Sequence, residues 1–264
     1  ANQQQLARAL TLSHEYADVI ALLVVGNEVL LRRELTPEAL AALLAHARQG
    51  TKVPIAYADV WEFWQRHASV LRPHVDVVAA HVLPFWEDEP VAVGDAVAHV
   101  RRIATQLATS MAPTPVFIAE TGWPSEGRQR AGAIPGTLMQ AQFVRELRAS
   151  TQAQPLPLRN GRLPPFNIIE GFDQPWKRAL EGAMGGYWGL FTADGQQRVT
   201  LSGKVVADPT WWHAPVGAAL GTGVGLLWAA LAHGQRGLRP RAWAMLLLGC
   251  AFLGAMVPQQ WHWQ

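Results

Sequence analysis

Two glutamates each close an apolar run, Glu28 at the end of VVGNE and Glu120 at the end of VFIAE. A carboxyl group can release a proton, take one back or attack an electrophilic carbon. Two of them held about 5 to 5.5 Å apart meet the needs of glycosidic bond cleavage with retention. One protonates the departing oxygen while the other attacks the anomeric carbon, and the first then deprotonates the incoming hydroxyl. Asn27, beside Glu28, carries an amide suited to a sugar 2-hydroxyl. Trp86, Trp123 and Trp176, with Phe85, offer flat faces for a pyranose ring. Trp86 and Trp123 are equally suited to a buried core, sugar stacking is the favoured reading for Trp176, and His81 fits a cleft or a hydrogen-bonded interior. No His or Cys spacing suggests a metal, and neither GxGxxG nor GKS/GKT is present, so the sequence implies no metal and no cofactor.

Such chemistry needs rigid carriers. Apolar, β-branched runs at 19–26, 53–57, 75–81, 115–120 and 166–170 read as buried strands. Helical patterns follow them: one opening at Thr36-Pro37, with Thr36 as N-cap, then 61–67, 91–109, 137–149 and 176–183. A further helix, 1–16, precedes the first strand. Strands buried on both faces and separated by helices imply parallel βα units. An open doubly wound sheet and part of a (β/α)8 barrel both satisfy that pattern. The missing phosphate fingerprint disfavours the first. Polar residues at the strand ends (Asn27, Glu28, Asp59, His81, Glu120, Glu170) favour the second, because barrel enzymes build their sites there.

The 264 residues suffice for one medium domain and an appendage, and composition divides them so. Charges are frequent up to about Lys204 and sparse beyond it, which sets expected domains of 1–212 and 213–264. Lys and Arg number 22 against 20 Asp and Glu, a formal charge of +2 with no basic run, which excludes a nucleic-acid partner. The single cysteine, Cys250, permits no internal disulfide. The uncharged stretches 215–232 and 242–257 are expected to form a transmembrane helical hairpin, each slightly short of the roughly 20 residues a spanning helix takes. Three arginines in the loop 233–241 assign that loop to the cytoplasm, and Trp211, Trp212, Trp261 and Trp263 suit an interfacial belt. A lipid bilayer is therefore an expected partner, and further membrane segments downstream are plausible.

The paired glutamates sit in longer motifs. GNE at 26–28, HVLPFWE at 81–87, AETGWPSEG at 119–127, FDQPWK at 172–177 and YWGLF at 187–191 occur in that order. Together they resemble glycoside hydrolase family 17, the β-1,3-glucanase family, and within it a bacterial membrane-bound branch associated with β-1,3/1,6-glucan synthesis. The resemblance covers roughly residues 15–200. It implies Glu28 as acid/base at the end of barrel strand four and Glu120 as nucleophile at the end of strand seven. It also implies that Lys177 and Glu181 line the cleft, with Gln174 where plant-type members carry a glutamate. The strand-six tyrosine of many members is replaced within HVLPFWE.

The fold expected on these grounds is α/β, the C-terminal part (strands 4 to 8) of a (β/α)8 TIM barrel followed by the transmembrane hairpin. About three βα units, something like eighty residues, are expected upstream of Ala1. The expected function is a retaining β-glucan hydrolase or transglucosidase acting on oligo- or polysaccharide. Its expected location is the bacterial inner membrane with the catalytic domain in the periplasm. The alternative is a catalytically inactive, membrane-anchored glucan-binding module.

Overall fold

The computed structural model describes residues 2–156, 164–206, 210–231 and 240–260. The chain divides into two compact units, Ala1–Val205 and Val206–Gln264.

The first unit is built on five parallel strands: β1 (Leu23–Asn27), β2 (Ile55–Val60), β3 (Val77–His81), β4 (Val116–Thr121) and β5 (Phe166–Ile168). Their order across the sheet is their order in the chain, β1-β2-β3-β4-β5. Each strand therefore lies beside its predecessor, the winding of a barrel and not the reversing order of a doubly wound sheet. The helices α1 (Asn2–Glu15), α2 (Pro37–Gln49), α3 (Trp61–Leu71), α4 (Val93–Ser110) and α5 (Thr137–Ala153) stand before and between the strands.

The local causes are legible. Thr36 accepts the Ala39 amide at 3.2 Å and Pro37 occupies the first helical position, so α2 starts there. A cap of this kind is worth about 1 kcal/mol. In α4, Ala96, Val97, Val100, Ile103, Ala104 and Leu107 recur at helical spacing and are all buried. Alternation along the strands separates two faces. Ile55, Tyr57, Val78, Ala80 and Ile118 join the large core with Leu40, Leu44, Trp64, Ile103, Leu107 and Phe143 from the helices. The opposite face carries the smaller cluster of Ala56, Ala58, Val77, Ala79 and Phe117.

The helix expected at 176–183 is broken. Pro175–Lys177 forms a 3-10 turn, α6 (Arg178–Glu181) is a single turn, and a second 3-10 turn covers Ala183–Gly186. Gly182 between them has φ 78°, which a continuing helix cannot contain.

The second unit holds α7 (His213–Leu231) and α8 (Pro240–Gln260), packed against each other. Their contact is a seam of small residues. A Cβ added at Gly221 would collide with the Cys250 carbonyl, and one at Gly254 with the Gly217 carbonyl. The expectation that this hairpin crosses a membrane is corrected: among the described residues no helix is long and apolar enough to do so. The glycines that bring the helices together dilute the hydropathy of runs already short of a spanning length. The expected loop arginines Arg236 and Arg239, and Trp261 and Trp263, lie outside the described residues.

Candidate active site

The C-terminal ends of the five parallel strands lie on one edge of the sheet, and four of them deliver acidic or basic side chains there. Glu28 follows β1 directly, His81 is the last residue of β3, Glu120 lies one residue before the end of β4, and Glu170 follows β5. In the β3–β4 ladder His81 faces Glu120.

One carboxylate oxygen of Glu28, one of Glu120 and a ring nitrogen of His81 all lie within 4.8 Å of one another. His81 Nδ1 is 3.0 Å from Glu28 Oε1. Its Nε2 is 3.6 Å from Glu120 Oε1, beyond hydrogen-bond range, and makes no other bond although the side chain is only 1% exposed. The same three residues are a set that could ligate a metal ion; the sequence expectation of no metal rests on spacing alone.

Glu28 is held by its loop. Gly26 has φ 87° and Glu28 itself φ 53°, so the chain turns sharply out of the strand. Two buried residues of β2 receive that turn. Tyr57 Oη accepts the Leu30 amide at 3.0 Å and donates to Asp59. Asp59 accepts the amides of Leu30 at 3.2 Å, Leu31 at 3.4 Å and Val60 at 2.8 Å. Burial, reinforced by the bond to Asp59, pushes the Tyr57 phenol far up, so it stays a donor. Arg32, four residues after Glu28, lies 3.3 Å from Glu28 Oε2 and also donates to the Asn27 carbonyl.

Glu120 begins the segment ETGWPSEG. A Cβ at Gly122 would run into the Ile169 carbonyl, so only glycine lets this loop pass over β5. Ser125 then ties the loop down, its amide donating to the Tyr187 carbonyl at 2.8 Å. Asp173 accepts the Gly189 amide at 2.9 Å and an Arg198 guanidinium N–H, which joins FDQPWK to YWGLF.

The charges around the cleft set its acidities. The bond from His81 outweighs burial and holds the Glu28 carboxyl below its ordinary range, with help from Arg32 and Lys177. Burial pushes Glu120 up, opposed by His81 and Lys177 and reinforced by Glu28 and Glu170. Partial burial pushes Glu181 up too. Lys177 Nζ pairs with Glu170 Oε2 at 2.7 Å. Four carboxyl groups thus share one cleft with Lys177, Arg32 and His81, a field that favours positive charge on a bound molecule.

The other expected site residues divide. Asn27 is exposed at the end of β1. Trp176 is 62% exposed, its indole N–H donating to Gln174 Oε1 at 2.9 Å and Lys177 Nζ lying 5.9 Å from its ring centre. It presents an open apolar face. Trp86 is half-buried, stacked on Trp188 with centroids 6.2 Å apart and met by the Arg130 guanidinium at 5.0 Å. Trp123 is corrected. It is 1% exposed, packs edge-on against Phe85 and bonds the Ile134 carbonyl, so it belongs to the core and offers no face to a sugar.

Three features escaped the sequence reading. Arg32 lies on a stretch without helical periodicity, so its i+4 relation to Glu28 carried no signal. Glu170 was visible as a strand-end carboxylate but not as the partner of Lys177. The third is a cluster beside the HVLPFWE loop: Glu87 accepts from Trp61 Nε1 at 3.2 Å and pairs with His99 Nε2 at 2.9 Å, and it also bonds Glu62. Burial and that bond raise the Glu62 carboxyl to about 8. Burial pushes Glu87 up as well, but the bonds from His99, Glu62 and Trp61 together hold it below its usual range, so the proton rests on Glu62.

Comparison with known proteins places these observations. The chain is 30% identical over 136 residues to a probable β-glucosidase btgE of Aspergillus terreus, covering 50% of this chain and 24% of that one. It is 28% identical over 203 residues to a glucan 1,3-β-glucosidase of Arthroderma benhamiae, covering 71% and 63%. Its fold resembles that of a glycoside hydrolase family 17 β-1,3-glucanosyltransferase from Rhizomucor miehei, with TM-score 0.58, 22% identity, and 69% of this chain and 64% of that chain covered. The chain thus spans less than two thirds of each of these relatives. A match to the BtgE/BtgC glycoside hydrolase domain runs over residues 1–189, most of the first unit and all of its strand-end carboxylates, and the chain belongs to that family.

Proposed function

We propose that the chain supplies the catalytic carboxyl pair of a retaining enzyme that cleaves β-1,3-glucan and passes the glucosyl group to water or to another sugar, in the synthesis or remodelling of a β-glucan. One observation carries this reading: carboxylate oxygens of Glu28 and Glu120 lie within 4.8 Å of each other at one edge of a parallel sheet. So close an approach supports the short carboxyl spacing of a retaining mechanism over the wider gap that an inverting one keeps for its water. The β-1,3 linkage is supported by the names of the relatives, a glucan 1,3-β-glucosidase and a β-1,3-glucanosyltransferase. We take β1 to β5 as strands four to eight of the barrel, in keeping with the strand order and the order of the motifs.

In this mechanism Glu28 protonates the leaving oxygen while Glu120 attacks, and Glu28 then deprotonates the acceptor. Trp176 supports a glucosyl ring, Asn27 bonds the 2-hydroxyl, and Lys177, Gln174 and Glu181 line the cleft. A second assignment exchanges the two roles. It is favoured by the acidities of the unliganded cleft, where Glu28 is the readier anion and Glu120 the readier acid. The two carboxyls interact closely enough that the proton belongs to the pair, and a bound sugar decides which one holds it.

Incubation with laminari-oligosaccharides tests the function, and mapping of a 2-fluoroglucosyl-trapped residue tests the assignment. New oligosaccharides and a label on Glu120 are expected, with both products lost in Glu120→Gln. Binding of laminari-oligosaccharides without turnover would reduce the protein to a glucan-binding module. A label on Glu28 would reverse the roles.

A further inference from the structure

Within the site proposed above, two carboxyls and a buried histidine converge on one point. One oxygen of Glu28, one of Glu120 and a ring nitrogen of His81 lie within 4.8 Å of one another, and among the described residues no other three His, Cys, Asp or Glu side chains do so. His81 is the last residue of β3, its side chain is 1% exposed, and its Nδ1 lies 3.0 Å from Glu28 Oε1. The other ring nitrogen, Nε2, is buried, has no hydrogen-bond partner, and lies 3.6 Å from Glu120 Oε1. A buried polar atom in that state is costly, and a ligand that takes its lone pair removes the cost.

We infer that Glu28, His81 and Glu120 form a binding site for a first-row divalent metal ion of the zinc type, and that such an ion inhibits the enzyme by taking the place of the glucosyl ring. The inhibition rests on the catalytic reading of the two glutamates; the binding rests on the three side chains alone. Zinc holds imidazole nitrogen and carboxylate oxygen at about 2.0 to 2.2 Å, so two such ligands stand about 3.3 to 3.7 Å apart at angles between tetrahedral and trigonal. The separation of Nε2 from Glu120 already meets that requirement at 3.6 Å. The contact at Nδ1 fixes the ring and leaves Nε2 as its ligand atom. A closure of at most about 1 Å brings in the third ligand. The glutamates can supply it, since their side chains are 20% and 28% exposed while the histidine is enclosed.

The ligand set also selects the ion. An imidazole and only three protein donors favour zinc over magnesium or calcium, which take six or more oxygens. The neighbouring charges leave room for a cation. Lys177 is committed to Glu170, Arg32 stands 49% exposed beside Glu28, and Glu170 and Glu181 add carboxyls from the segment after β5. With the ion in place both glutamates are held as its ligands, so neither can attack an anomeric carbon or pass a proton to a leaving oxygen.

The test titrates ZnCl2 into the metal-free full chain by calorimetry, with MgCl2 for comparison, in wild type, His81→Ala, Glu120→Gln and, as a control on α3, His67→Ala. One zinc ion per chain is expected in wild type and in His67→Ala. Binding at least about 10-fold weaker is expected in His81→Ala and in Glu120→Gln, with a thermal melt to show that each is folded. Equal zinc affinity in wild type and folded Glu120→Gln, magnesium bound as tightly as zinc, or no zinc binding in wild type would overturn the inference. With laminari-oligosaccharides as substrate, ZnCl2 is expected to raise KM at unchanged kcat, and EDTA to reverse the effect. A fall in kcat at unchanged KM would put the ion elsewhere and overturn the inhibition. If the wild type turns over nothing, the functional reading fails and the titration still decides the metal site. If it turns over substrate and binds no zinc, the metal site alone fails.

Discussion

Replacing Asp59 tests whether the turn that carries Glu28 is held from beneath. Its carboxylate receives Leu30, Leu31 and Val60 amides and the Tyr57 hydroxyl, and it is fully buried. Asp59→Ala strips the acceptor from the Leu31 and Val60 amides and from the phenol, whereas Leu30 keeps Tyr57 Oη at 3.0 Å. Three buried or half-buried donors left unpaired cost about 3 to 5 kcal/mol in all. Tyr57→Phe removes one bond and leaves Leu30 on Asp59, so it costs only about 1 kcal/mol. Asp59→Asn falls between, since its amide keeps one acceptor and turns a donor toward donors. Urea unfolding followed by tryptophan fluorescence measures the order. Activity should fall further than stability, because a displacement of about 1 Å in a reacting group costs on the order of 100-fold in rate. The reasoning is refuted if Asp59→Ala unfolds at the wild-type midpoint, or if folded Asp59→Asn retains full kcat/KM.

The Glu62–Glu87 cluster predicts a pH-dependent stability. Glu62, raised to about 8 in the fold, contributes stability that is complete below its ordinary range near 4.5 and lost as pH rises through about 8. Glu62→Gln should flatten the fall of Tm between pH 5 and 9, and an unchanged slope would remove Glu62 as its cause. Lys177→Met withdraws a positive charge felt by Glu28, Glu120 and Glu181. All three carboxyls should then rise, carrying the acid limb of the activity profile to higher pH. Trp176→Ala should leave the unfolding free energy within about 0.5 kcal/mol of wild type, since the ring is exposed, while raising KM for long oligosaccharides. Gly122→Ala should destabilise the fold by about 2 to 3 kcal/mol and so lower Tm, because its Cβ meets the Ile169 backbone, and a wild-type melt would contradict that packing.

Local order was legible wherever chemistry and periodicity are local. The strands at 55–60, 77–81 and 116–121 follow from apolar runs that parallel pairing buries on both faces. The start of α2 follows from Thr36 and Pro37, whose effects reach only three residues along the chain. Glu28 and Glu120 stood out because each terminates such a run, and parallel strands must bring their ends to one edge. Length and composition alone also misled: two apolar stretches read as membrane spans are helices too short or too dilute in apolar residues to cross one.

What only the tertiary structure decided depends on partners distant in sequence. Trp123 and Trp176 are alike as residues, yet Phe85 and the Ile134 carbonyl enclose the first while the second stays 62% exposed. The roles of Asp59 and Tyr57 exist only because β2 lies under the turn after β1. The acidities of Glu28 and Glu120 diverge through burial and through a histidine contributed by a third strand. Side-chain type and spacing specify which groups can react, since these are properties of the residue and its near neighbours. Distance, burial and field decide what each will do, and those arise when the strands are laid side by side.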